Sequence, residues 1–89
     1  MSTTRIGGTI EQMTAMGTKF GTEADTIGDL ASRITTQLNS TDWTGGAAQR
    51  FRAQWNGEFK GVFTKVETGL RECGSEVKKR ATALTQADA

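Results

Sequence analysis

The sequence predicts an all-α fold, an antiparallel two-helix hairpin that pairs with a second hairpin to make a four-helix bundle. Three observations predict it. The 89 residues contain no Pro, apolar residues recur at helical spacing in both halves, and one polar stretch with a Gly pair separates the halves. Loops and β-rich domains carry Pro in their turns, so its complete absence favours long uninterrupted helices.

Helix one is expected over about residues 8–38. Ile6, Met13, Phe20, Ile27 and Ile34 stand seven apart, and Ile10, Gly17, Ala24, Ala31 and Leu38 follow each by four. Both rows therefore lie along one seam of a helix, one row bulky and the other mostly small. A bulky neighbour can approach such a seam closely. Thr9 with Gln12 forms a capping-box pattern near the expected start.

The connection is expected at about residues 39–45, in Asn39-Ser40-Thr41-Asp42-Trp43-Thr44-Gly45, with Gly46 opening the next helix. Thr41, Asp42 and Thr44 are the candidates to cap that helix. A connection this short favours antiparallel neighbours.

Helix two is expected over about residues 46–84. Phe51, Trp55, Phe59, Val62, Phe63, Val66, Leu70, Cys73, Val77, Ala81 and Leu84 advance by threes and fours, a stripe wider than one seam requires. Such a face serves two neighbours, the hairpin mate and something else. The candidate hairpin and dimer core is Ile10, Met13, Phe20, Ile27, Ile34, Phe51, Trp55, Phe59, Val62 and Val66.

Glycines at 17, 21, 28, 57, 61, 69 and 74 fall inside the expected helices and weaken them by about 1 kcal/mol each relative to Ala. Gly17/Gly21 and Gly57/Gly61 have the spacing that lets backbones approach, so close helix contact competes with simple drift as their explanation. A lone hairpin leaves the outer part of the wide stripe in water. Burying a large apolar side chain contributes roughly 1.5–3 kcal/mol, against about 1.5 kcal/mol to order each residue. The arithmetic points to a dimer, and both a homodimer and a heterodimer stay open.

Composition narrows the function. Eleven basic and ten acidic residues leave a net charge of +1, which removes the case for a nucleic-acid-coating protein. With no His and the single Cys73, a zinc site, a His-based triad and an internal disulfide framework are excluded. No cofactor or metal is expected, and no enzyme: Ser75 with Lys78 or Lys79 on a helix surface lacks a pocket and oxyanion donors. Cys73 reads as a small buried hydrophobe, with an intermolecular disulfide as the alternative. Met1, Met13 and Met16 read as initiator and core.

Lys78-Lys79-Arg80, with Arg71 nearby and Glu76 placed to pair with Arg80, reads as a solvated helix face. Residues 1–44 hold three basic and five acidic residues, and residues 45–89 hold eight and five, giving −2 and +3. Opposite signs on adjacent helices help fix orientation and partner choice. Met1 to Ile10 has no apolar core of a leader, and no window reaches the roughly 18 apolar residues of a membrane span. The chain is thus expected to be cytoplasmic, or to leave without a cleaved leader. Membrane contact is not expected of the folded form.

Trp43-Thr44-Gly45 is a W-x-G triplet placed mid-chain between two helical halves, with Ala47, Phe51 and Trp55 on the opening turns of helix two. Over essentially the whole chain this resembles the WXG100 family of small proteins exported by type VII secretion systems. The resemblance implies a dimer with a WXG100-like partner, export in the folded state without a cleaved signal peptide, and recognition by the system's ATPase. It also implies that the turn residues Trp43 and Gly45 belong to a composite export surface. The alternative, supported by the absence of Tyr, is an intracellular targeting partner or chaperone that escorts a larger secreted effector or toxin. The family's C-terminal export element is an aromatic Y-x-x-x-D/E. Here its degenerate counterpart is Leu84-Thr85-Gln86-Ala87-Asp88, with Leu84 in the aromatic place and Asp88 in the acidic one, which puts autonomous export in doubt.

Overall fold

The computed structural model describes residues 3–88, with side chains described over residues 8–86. Met1, and the Ile6 and Asp88 side chains, lie outside the described residues. Helix α1 runs over Thr3–Ser40, helix α2 over Gly46–Gln54, a π-helical turn over Trp55–Phe59, and helix α3 over Lys60–Asp88. The last three are one continuous rod, so the chain is an all-α hairpin of two long arms. Partners across the hairpin fall in index as the other arm rises: Thr35 meets Trp55, Asp25 meets Arg71, and Gly17 meets Gly74. The arms are antiparallel.

The Cα trace measures 66 × 17 × 14 Å, with a radius of gyration of 19.9 Å, against about 12 Å for a compact domain of this length. A rod of two helices has a seam and no enclosed interior. The buried residues along that seam are small: Gly17, Ala24 and Ala31 on α1, and Ala48, Gly74 and Ala81 opposite, with Trp55 the one large side chain among them. Met13, Phe20 and Ile27 are half-buried beside this row. Small residues let the backbones close up. A Cβ on Gly74 would stand 2.7 Å from the Gly17 carbonyl oxygen and 3.1 Å from Phe20 Cβ, so the arms meet backbone to backbone there. The pair that makes this contact is Gly17 with Gly74. Gly21, Gly57 and Gly61 face open space.

Trp55 is 7% exposed. Its Nε1–H donates to Thr35 Oγ1 at 2.8 Å, and the Thr35 hydroxyl in turn donates to the Ala31 carbonyl at 2.8 Å. One hydroxyl thus accepts from the indole while its own proton is satisfied within α1. Phe63 closes over the indole, tilted at 53° with ring centroids 5.6 Å apart. Thr35→Val keeps the shape and removes the acceptor, leaving a buried N–H unpaired. A loss of about 1–3 kcal/mol is expected in denaturant unfolding.

The π-turn departs from the unbroken helix expected over residues 46–84. The Lys60 N–H reaches back five residues to the Trp55 carbonyl, so one residue more than an α-turn holds is accommodated there. Its effect is a change of phase. Leaving aside half-buried Gly69, the half-buried and buried positions of the second arm run 48, 52, 55, then 63, 67, 70, 74, 77 and 81. The step from Trp55 to Phe63 is eight residues where an unbroken heptad takes seven. Val62, the residue a seven-step would place on the seam, is 54% exposed.

Both capping expectations are corrected. Thr9 stands well inside α1, which begins at Thr3. At the second helix the N-cap is Gly45, with no side-chain cap; its carbonyl accepts the Gln49 N–H at 3.0 Å. Thr41, Asp42 and Thr44 do not cap it. Gly45 has φ 104° and ψ 178°, a region essentially closed to residues with a Cβ, and that backbone requirement outweighs cap chemistry. The space around it is open, so Gly45→Ala costs backbone strain alone. It is expected to lower stability by about 1–3 kcal/mol in chemical denaturation.

Candidate functional site

Two features of the rod can meet another molecule: its tip and one of its long flanks. The tip is residues 41–45, between α1 and α2. Here α1 carries no basic residue in its last turn; its Gln37 carbonyl accepts from the Thr41 and Ser40 hydroxyls at 2.6 and 3.1 Å, and its Leu38 carbonyl from the Thr41 N–H at 3.4 Å. Arg52, from the second turn of α2, reaches into this gap. Its Nη1 donates to the Trp43 carbonyl at 2.7 Å, and its Nη2 donates to the carbonyls of Thr41 at 3.1 Å and Leu38 at 3.3 Å. The Trp43 N–H closes on the Thr41 carbonyl at 2.9 Å, a tight turn within the loop. The Trp43 ring lies against Phe51, centroids 5.8 Å apart and tilted at 49°. Trp43 remains 40% exposed. The buried indole of the hairpin is Trp55, and Trp43 is the displayed one.

The flank collects the large apolar side chains that the seam does not use. On α1 these are Met16, Leu30 and Ile34, and on the second arm Phe51, Phe59, Val62, Val66 and, near its end, Leu84; all are exposed. The two arms present them on the same side. Met16 and Phe20 share a shallow depression with Leu70, and Ile34 and Leu38 share another with Phe51. Phe59, Val62, Val66 and Leu70 follow one another by threes and fours, a continuous helical stripe. The expected core therefore divides. Met13, Phe20, Ile27 and Ile10 are half-buried and Trp55 is buried, while Ile34, Phe51, Phe59, Val62 and Val66 lie open in the single chain.

The opposite flank is polar. Arg71 donates to Glu67 at 2.8 Å along its own helix and to Asp25 at 2.7 Å across the hairpin. The hydrogen bonds to Glu67 and then Asp25 raise the pKa of the guanidinium further above its ordinary value. A raised arginine pKa contributes stability that is lost only in strongly alkaline solution, above the working range. The pairs are exposed and register the arms more than they stabilise them. Gly28 lies beneath the Glu67 carboxylate, which uses the space a side chain would fill.

Cys73 is exposed, which corrects the expectation of burial: Leu70, Gly74 and Val77 take the seam positions around it, and Cys73 falls one step outside. Glu76 pairs with Arg80 at 3.0 Å on the surface. Ser75, Lys78 and Lys79 border an open depression. Leu84 is exposed, and residues 84–88 continue α3 to Asp88 rather than following it as a separate element. Among the described residues no helix is long and apolar enough to cross a membrane, and no group of three or more His, Cys, Asp or Glu gathers as a metal site.

Arg52 and the π-turn are what the sequence reading missed. An arginine binding backbone carbonyls leaves no pattern, because the acceptors belong to every residue type. The π-turn did leave a trace: Val62 and Phe63 are adjacent apolar residues, and Phe63 follows Trp55 by eight.

Compared with known families, residues 5–89 match the model of WXG100, described as proteins of 100 residues with WXG. Neither a curated protein nor a solved structure matches the chain.

Proposed function

The chain belongs to the WXG100 family, whose members are small non-enzymatic helical proteins associated with type VII secretion, and from that premise we propose that it is a substrate of such a system. In this reading it is exported as a folded dimer without removal of a signal peptide, recognised by the system's ATPase, and acts by binding. It is cytoplasmic before export and extracellular after it. The partner hairpin is a second copy or another WXG100-like chain.

The family match carries the secretion reading, and the one-sided apolar flank supports the dimer. The chain exposes 6394 Å², whereas a folded monomer of 9.6 kDa exposes about 5,100 Å². The excess, about 1,300 Å², falls in the range one partner contributes to an obligate dimer interface. A second hairpin laid on the flank covers Phe59, Val62 and Val66 and leaves the Arg71 flank in water. Val62→Glu with Val66→Glu is expected to weaken association about 100-fold or more, read by sedimentation across a dilution series. Dimers that persist at wild-type affinity would move the interface elsewhere.

Export is tested in a strain with an active type VII system. Secretion that disappears when the ATPase is deleted supports the proposal, and retention in the cell with every gene neighbour present overturns it. Leu84 favours a second reading, an intracellular targeting partner for a larger effector, because an aromatic residue stands at that place in the family's export element. Leu84 is exposed, so a ring fits there without repacking. Leu84→Tyr is expected to raise secretion of the chain expressed alone if it is a substrate. Pull-down of a large effector with no secretion of either variant selects the escort.

A further inference from the structure

We propose that Arg52 is the positioning residue of the hairpin tip, the group that holds the Trp43 turn in one shape. Three acceptors converge on one guanidinium: the Leu38 carbonyl at the end of α1, and the Thr41 and Trp43 carbonyls of the loop. The first completes the C-terminus of a helix with no cation of its own there. The other two tie the loop to α2 on either side of its turn. Arg52 is half-buried; its bond to the Leu38 carbonyl is partly shielded from water, and those to Thr41 and Trp43 are exposed. A planar fork with fixed donor directions can serve three such acceptors together, whereas a lysine ammonium is a point charge that reaches fewer.

The consequence is preorganisation. The Trp43 carbonyl is pinned by Arg52, its N–H is committed to Thr41, and its ring leans on Phe51, the residue next to Arg52. Gly45 then carries the chain into α2 with the one positive φ among the described residues. An exposed aromatic held this way loses little further freedom on binding. The inference rests on the reading of the tip as a recognition surface, but the clamp itself is measurable without export.

The experiment uses the full chain with Arg52→Gln and Arg52→Lys. The two indole N–H resonances are followed, together with chymotryptic cleavage after Trp43 and the far-ultraviolet dichroism. In Arg52→Gln the Trp43 resonance is expected to shift and broaden while that of Trp55 holds. Cleavage after Trp43 is expected to rise on the order of tenfold or more, with helicity unchanged. Arg52→Lys should fall between the two. An unmoved Trp43 resonance with unchanged cleavage overturns the proposal, and if Arg52→Gln fails to fold, Arg52→Lys decides by the same criteria. Secretion separates this inference from the reading beneath it. Normal export of Trp43→Ala defeats the tip as an export surface and leaves the resonances to judge Arg52. A Trp43→Ala defect that Arg52→Gln does not share overturns Arg52 as its organiser.

Discussion

Deleting Gly69 is expected to abolish the cooperative fold, while deleting Gly57 leaves the hairpin intact. Neither glycine has an atom within 4 Å of where a Cβ would stand, although Gly69 is half-buried and Gly57 exposed. They differ in what lies downstream. Removing one residue from a regular α-helix rotates everything beyond it by about 100°. Without Gly69, Leu70, Gly74, Val77 and Ala81 leave the seam as a group, and their places go to neighbours that face water. A loss of at least about 5 kcal/mol follows, which is the whole stability of many small domains. Gly57 lies in the π-turn, where the chain already holds one residue too many for an α-helix. Its removal shortens the Trp55-to-Phe63 step from eight to seven and restores an unbroken heptad across the junction. Thermal melting followed by dichroism checks both. Equal destabilisation by the two deletions would mean that the π-turn does not set the register.

Gly74→Val carries the second large effect. Even a single Cβ at this position would lie 2.7 Å from the Gly17 carbonyl oxygen, a backbone atom that cannot swing aside. A branched side chain forces the arms apart at their closest contact and strips neighbouring packing around Phe20. The expected cost is about 3 kcal/mol or more, a fall in Tm of more than about 10 °C. Gly61→Ala supplies the opposite sign. Open space surrounds Gly61, so the gain in helix propensity stands alone at about 0.5–1 kcal/mol. A Gly74 variant as stable as wild type would show that the arms separate without penalty.

The contrast between these glycines shows where sequence reading reached and where it stopped. Heptad spacing located both arms, because burial along a helix imposes a period that single residues cannot hide. Ala24 and Ala31 were legible as the closely approached row for the same reason. The identity of the glycine opposite Gly17 was not legible, since spacing along one helix says nothing of registry against another. Phe59, Val62 and Val66 were grouped with Trp55 as one core. The eight-residue step divides them, turning Trp55 and Phe63 inward and Val62 outward. At the tip, Trp43 and Gly45 stood out by type, while their organiser Arg52 did not. Its role depends on a loop geometry set by Gly45 and on acceptors that every peptide bond supplies. Cap chemistry at Thr41, Asp42 and Thr44 gives way because the backbone angles of Gly45 take precedence over side-chain preference.

The slenderness of the molecule sets a limit on any passage it takes while folded. One hairpin is 66 Å long and at most 17 Å across its Cα trace. Two laid side by side form a bundle about 20–25 Å wide at ordinary helix spacings. Threaded lengthwise, such a needle clears a bore scarcely wider than a DNA duplex; presented broadside, it demands an opening nearly three times larger. Any conduit that accepts it intact must therefore first seize one end and aim it.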